Sequence, residues 1–215
     1  MIIVAGCGIH NEGCDDSHHN GIHRFYLEEG ARVKYVEKHL GAGDGEGKKI
    51  LNPVTEVTLG QNASMNMETT QIKGVDSTVR TTEGSLAKGS SLVVTEKILT
   101  HGSQYAETRF KVDLDGPGSS VHVTSRSVAT QDSVQKFISE VNGNTECFGH
   151  VECDAIIKEN GRVIATPAIT ANSVDANLIH EAAIGKIAGS QIIKLRTLGL
   201  TEQEAEEEII NGFLK

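Results

Sequence analysis

Short stretches in which apolar and polar residues alternate run along most of this chain. They cover Phe25 to Leu27, Arg32 to Val36, Val54 to Leu59, Thr78 to Thr81, Ser91 to Thr95, Glu107 to Leu114, Ser120 to Val128, Val134 to Val141 and Val151 to Ile157. Val, Ile and Thr recur in them, as suits a pleated, half-buried surface. Turn-rich breaks separate them, among them Gly41-Ala42-Gly43-Asp44-Gly45-Glu46-Gly47, Asp115-Gly116-Pro117-Gly118 and Asn142-Gly143-Asn144. Between residues 24 and 180 no 3.6-residue apolar period competes with this alternation, so an all-β body is expected. Strand spacing alone fits a sandwich, a barrel or a stacked solenoid, and no fixed-period repeat selects among them.

The pattern changes near the C-terminus. Apolar positions at Ile192, Ile193, Leu195 and Leu198 predict a helix capped by Ser190, with Gly199 as the left-handed residue just past its end. Thr201 and Glu204 have the spacing of a capping box for a second helix, whose stripe runs through Ala205, Ile209 and Phe213 beside Ile210 and Leu214. The chain therefore divides into a β core over residues 1–183 and a helical segment over 184–215. Packing of that stripe on the body is the plain expectation for it.

Composition narrows the partners. Twenty-nine acidic residues against 20 basic give a formal charge of -9, which disfavours nucleic acid and anionic lipid surfaces. No stretch near the start is long and apolar enough for a membrane span or signal peptide, so a soluble, cytoplasmic protein is expected. Four cysteines then read as core residues, metal ligands or reactive thiols rather than a disulfide framework. With 23 glycines and no Trp, a core built on large aromatic anchors is not expected.

Two residues in the last β segments stand out chemically. Strand alternation puts Cys153 on the face of Val151, Ala155 and Ile157, and His180 on the face of Val174, Ala176 and Leu178, while Glu181 points the other way. Both apolar rows are also where an inert core cysteine and a satisfied core histidine would sit. In a solenoid, however, the 27 residues between them amount to about one turn, and stacked strands lie roughly 4.8 Å apart. A thiolate is the natural ligand for cluster iron, imidazole a borderline partner and carboxylate a more labile one.

The order Cys153-Asp154, His180-Glu181-Ala182, Ile184-Gly185-Lys186-Ile187, Gln191, Leu195-Arg196, Gly199 and Ile209-Ile210-Asn211-Gly212-Phe213 resembles the C-terminal region of the SufB/SufD family of iron–sulfur cluster assembly scaffolds. Gly6-Cys7 and Gly30-Ala31-Arg32-Val33-Lys34-Tyr35 resemble an earlier part of the same family. The resemblance is specific from about residue 145 onward and loose between 45 and 130. It implies a right-handed parallel β-helix with a short C-terminal helical segment that docks a SufC-type ABC ATPase. It also implies a transient iron–sulfur cluster with Cys153, His180 and Glu181 as its ligand positions, and a non-catalytic scaffold supplied by a cysteine desulfurase system. One Cys and one His-Glu pair do not complete a cluster's ligand shell. A homodimer or SufB/SufD-like heterodimer, joined near residues 145 to 182 with Cys153 of one chain facing His180 of the other, is therefore expected.

A second constellation, Cys7, His10, Cys14, His18, His19 and His23, is dense in ligand types but matches no standard zinc spacing. Its Asn, Gly and Asp residues suggest a surface loop; Cys7 is kept as an accessory metal position through the family resemblance. Two family features are absent. No cysteine lies between Cys14 and Cys147, where the larger family members carry Tyr-Pro-Ser-Cys and this chain reads Thr78-Val79-Arg80-Thr81-Thr82-Glu83, and the long N-terminal helical region is missing. Either a truncated or a short, minimal branch would look like this. Two rival functions are a β-solenoid interaction module without metal and a β-helix enzyme acting on polysaccharide through Asp113, Asp115, Glu140 or Glu152.

Overall fold

The computed structural model describes residues 1–215, with the side chain of Lys73 excepted. The strands among the described residues are β1 (Ile2–His10), β2 (Ser17–His19), β3 (Ile22–Leu27), β4 (Arg32–Ala42), β5 (Lys49–Leu51), β6 (Val54–Leu59), β7 (Ser64–Lys73), β8 (Ser77–Leu86), β9 (Ser91–Thr100), β10 (Tyr105–Leu114), β11 (Ser119–Ala129), β12 (Val134–Gly143), β13 (Cys147–Ile157), β14 (Arg162–Ala171) and β15 (Ala176–Gly185), followed by helices α1 (Gly189–Arg196) and α2 (Glu202–Phe213). All strand pairings are parallel. One sheet runs β1-β4-β7-β9-β11-β13-β15; the other is built from β14, β12, β10 and β8 with β5, β2, β6 and β3. The chain crosses from one sheet to the other and back in each coil, forming a right-handed parallel β-solenoid with a short C-terminal helical segment.

Coil length explains why no repeat is visible in the sequence. Stacked partners are 32 residues apart in the early coils, as at Arg24 and Glu56, and 27, 29 or 28 apart later, as at Lys49 and Asp76, Asp113 and Asn142, and Asp132 and Asn160. The register changes also within the β4–β7 pair, between His39 and Leu40. Each coil is individually regular, but no single period survives.

Inward positions of the two sheets make the core. Leu59, Met65, Leu86, Leu92, Val112, Leu114 and Val121 are almost fully buried and belong to one continuous cluster running from Leu27 to Cys153. Each such side chain contributes about 1.5–3 kcal/mol relative to leaving it in water. At the turns, side-chain amides stack from coil to coil: Asn144 Nδ2 donates to Asp115 Oδ1 (2.7 Å) and Asn172 Nδ2 to Asn144 Oδ1 (2.7 Å). Gly116 is required beside this ladder, because a Cβ there would lie 1.9 Å from the Lys88 nitrogen of the preceding coil.

The helical tail follows the end of β15. The sequence places the α1 cap at Ser190; the structure places it two residues earlier, at Ala188, because the Ala188 carbonyl already accepts from the Gln191 N–H, and no side chain caps the turn. The capping box at Thr201 and Glu204 is formed, and Gly199 takes a φ of +99° between the helices. Helix α2 buries Ala205, and Lys158 of the turn after β13 pairs with its Glu206. Helix α1 buries nothing and leaves Ile193 exposed, as is Leu198 in the turn that follows it. Among the described residues no helix is long and apolar enough to cross a membrane.

Candidate functional site

Alternation in β4 turns Tyr35, Glu37 and His39 toward the interior, although all three carry ionisable groups. Register then continues a polar row lengthwise through the solenoid: Glu37 stands beside Thr69, Thr69 beside Glu96, Glu96 beside Ser125, and Ser125 beside Cys153. Arg80 reaches into this row from the opposite sheet. Its guanidinium pairs with Glu96, donates to Thr69 Oγ1 at 3.1 Å and donates to His39 Nδ1 at 2.8 Å. Glu96 also accepts from Thr108 Oγ1 (2.7 Å) and Ser125 Oγ (2.9 Å). A buried carboxylate is tolerable only with such partners.

At the C-terminal end of the row, Cys153 is 1% exposed on β13. Burial first, and the nearby carboxylates of Glu96 and Asp154 second, push its thiol up to about 12, so the free side chain is a neutral thiol. His180 lies on the neighbouring strand β15, opposite Val151, while Cys153 stands opposite Ala182. One coil here takes 29 residues rather than the 27 that separate the two residues, so they are diagonal neighbours with Cα atoms roughly 8 Å apart. Both face the interior of the same chain. His180 is partly buried, its Nε2 has no hydrogen-bond partner, and burial together with His150 lowers its pKa. Glu181 is exposed on the outer face, 3.7 Å from His150 Nε2. The structure thus brings Cys153 and His180 together and leaves Glu181 on the other side of the sheet.

Cys7 sits at the opposite end of the molecule. Its Sγ on β1 donates to Glu37 Oε1 at 3.2 Å, and His23 Nδ1 from β3 approaches the same oxygen to 3.3 Å. One donor atom each from Cys7, His23 and Glu37 lie within 4.8 Å of one another, a Cys-His-Glu cluster that could coordinate a metal. Tyr35 Oη is 2.9 Å from His23 Nδ1. Burial would raise the Glu37 pKa, but the His39 contact, the Cys7 thiol and the charge of Arg80 together outweigh it and lower it to about 2. Burial and the adjacent Glu37 push the Cys7 thiol up to about 12.

The N-terminal constellation is therefore two different things. Cys7 and His23 are strand residues directed inward, whereas Cys14 and His18 are exposed and His10 is bound to Glu12 at 2.9 Å on the surface. The interleaved Asn, Gly and Asp residues suggest a surface loop; β1, β2 and β3 instead carry most of the set, and strand alternation sorts its members onto two faces. Glu37, His39 and Arg80 did not stand out in the sequence. The signal was present in Tyr35-x-Glu37-x-His39, where polar residues occupy the inward phase of a strand. On the outer face, Asp113 and Glu140 are both bonded to Asn142 (2.8 and 3.0 Å), and Glu140 also pairs with Lys111. Asp113 is thus held by a neutral amide and Glu140 by an amide and a lysine.

A parallel β-solenoid with cysteine and histidine side chains directed into its interior describes the class of molecule, and sequence comparison supplies its family. The family model described as "SUF system FeS cluster assembly, SufBD core domain" matches residues 11–163 and 77–213. The chain belongs to this SufBD family. A SufBD-family iron–sulfur cluster assembly protein of Methanothermobacter thermautotrophicus is 30% identical over 228 residues, covering 99% of this chain and 51% of that protein. One from Pyrococcus horikoshii is 29% identical over 201 residues, covering 93% and 60%, and one from Mycobacterium bovis 29% over 136 residues, covering 61% and 16%. The chain spans between half and three-fifths of the length of the first two of these relatives.

Proposed function

We propose that this chain is a scaffold of the SUF-type iron–sulfur cluster assembly machinery that holds a transient cluster near the C-terminal end of its solenoid. Cys153 and His180 are the ligands proposed from within one chain, with Glu181 as an outer carboxylate. The cluster is cargo: loading it releases the Cys153 proton, and the few protein ligands leave it transferable. ATP hydrolysis belongs to a SufC-type partner docked on the helical segment, where Ile193 of α1 and Leu198 of the turn after it are exposed, and sulfur comes from a cysteine desulfurase system. The chain itself then works as a binding scaffold.

One observation carries the pairing of two chains. Both sheets end open, at β14 and β15, and this terminal coil exposes Ile164, Ile169, Ile179 and Ile184. An unpaired strand edge with exposed apolar residues favours a second chain, either another copy or a SufB/SufD-like partner. His180 lies on the last coil and Cys153 one coil in, so such a contact would close the site from the end. The two ligands share one interior, so the partner supplies a further set of ligands rather than the missing half of this pair.

Light scattering tests the pairing directly. The chain at micromolar concentration should give the mass of a dimer, alone or on addition of a SufC-type ATPase. Ile179→Glu with Ile184→Glu should give a folded monomer. Monomers for the unaltered chain under both conditions, or dimers that ignore both substitutions, would contradict it.

A further inference from the structure

The N-terminal cluster is chemically separate from the proposed cargo site, and its geometry carries a proposal of its own. Its donors come from three strands, Cys7 Sγ from β1, His23 Nδ1 from β3 and Glu37 Oε1 from β4. In a tetrahedral site with metal–sulfur bonds near 2.3 Å and metal–nitrogen or metal–oxygen bonds near 2.0–2.1 Å, adjacent donors stand roughly 3.4–3.6 Å apart. Here Sγ and Nδ1 lie 3.2 and 3.3 Å from Oε1, and all three donors lie within 4.8 Å of one another, so side-chain adjustment alone would seat an ion.

A second observation points to a missing ligand partner. Glu37 is 1% exposed, yet its Oε2 has no hydrogen-bond partner. A buried carboxylate with one oxygen left unpartnered is costly, and a cation held on the Oε1 side would lower that cost by balancing its charge. His39 is the neighbour that does not qualify as a ligand. Arg80 donates to its Nδ1, which fixes the ring proton on Nε2, 3.1 Å from Glu37 Oε1 but off the line of a good hydrogen bond. A protonated nitrogen cannot bind metal, so His39 and Arg80 position the carboxylate from behind. Access lies on the side of His23, whose side chain is 28% exposed while Glu37 is closed off.

We propose that Cys7, His23 and Glu37 form a mononuclear site for a divalent transition metal of the zinc or ferrous iron class. Sulfur, imidazole and carboxylate donors suit these ions better than magnesium or calcium. Three protein ligands leave a fourth position, beneath Tyr35, for water or a small thiol. Binding displaces the Cys7 proton to solvent, and the resulting thiolate and the Glu37 carboxylate balance the two charges of the ion. The site needs neither sulfide nor Cys153 and is independent of cluster assembly at the other end.

Cobalt(II) added to the chelator-treated, anaerobic chain without sulfide is the probe. One equivalent should produce a thiolate-to-cobalt charge-transfer band that zinc abolishes. Cys7→Ser should eliminate the band, Cys14→Ser and Cys153→Ala should keep it, and His39→Gln should keep it with an affinity about 10–100-fold weaker. A full band in Cys7→Ser, or its loss in Cys14→Ser or Cys153→Ala, would overturn the assignment by placing the metal elsewhere. Should Cys7→Ser fail to fold, zinc X-ray absorption on the Cys14→Ser protein decides. One sulfur at about 2.3 Å with the remaining ligands nitrogen or oxygen is expected, and a sulfur-free shell would overturn the proposal. Failure here leaves the Cys153 reconstitution described below unaffected.

Discussion

Replacing Arg80 by Met removes the only cation that reaches the buried polar row among the described residues. Glu96, 3% exposed, keeps the hydroxyls of Thr108 and Ser125 but loses its counter-charge, and His39 Nδ1 loses its donor. Breaking a buried ion pair from one side costs about 3–5 kcal/mol, most of it the penalty of the orphaned charge. For a chain of this size each kcal/mol lowers Tm by about 2–4 °C, so Arg80→Met should melt about 6–20 °C below the unaltered chain in a far-UV circular dichroism scan. Glu96→Met in the same background removes the orphaned charge and should restore much of the loss, giving a coupling of opposite sign to the single effects. A single variant within 2 °C of the parent, or two losses that simply add, would refute the idea that Arg80 and Glu96 neutralise each other across the core.

Three further outcomes are expected. In the metal-free chain, Glu37 is held as an anion to about pH 2 against an ordinary value of 4.5, and His39 is kept neutral below its ordinary 6.5. The unfolded chain binds more protons in both cases, so stability should fall as pH drops below 6.5 and again below 4.5 in denaturation curves. Cys7 and Cys153 stay protonated to about 12 against an ordinary 9.0, so stability should also fall as pH rises above 9, leaving a plateau between; a curve still rising past pH 9 would contradict this. Thr201→Ala removes one half of a capping box and should destabilise α2 by about 0.5–2 kcal/mol, seen as faster amide exchange confined to residues 201–214. Unchanged exchange there would mean that contacts with the body alone hold the helix.

Much of this fold was legible in residue spacing. The turns at Asp115-Gly116-Pro117-Gly118 and Asn142-Gly143-Asn144 and the alternation of β9 to β13 identify strands without help, and Thr201 and Glu204 mark α2. Stacking into a solenoid was not legible from spacing, because a coil changes length from 32 to 27 residues along the chain, and only the family resemblance supplied it. The candidate sites divide similarly. Counting in twos puts Cys153 and His180 on the inward faces they occupy, but it also puts Val174 in the row of His180, and that residue lies fully exposed in the turn before β15. The diagonal offset of Cys153 and His180 required the 29-residue register, which one sequence does not reveal. His23 and Cys7 were visible as ligand types, but their meeting at Glu37 depends on a cross-sheet approach between β1, β3 and β4. Arg80 looks like an ordinary strand residue until the opposite sheet brings Glu96 to it.

Anaerobic reconstitution with ferrous iron and sulfide addresses the scaffold role most directly, with iron and acid-labile sulfide counted per chain and visible absorption followed during transfer to an apo-acceptor. The unaltered protein should bind a labile cluster and give it up to the acceptor. Cys153→Ala should lose the cluster while keeping its melting temperature within a few degrees, and Cys7→Ser should retain it. A Cys153→Ala protein that still carries and transfers a full complement of iron and sulfide would contradict assembly at the C-terminal coil.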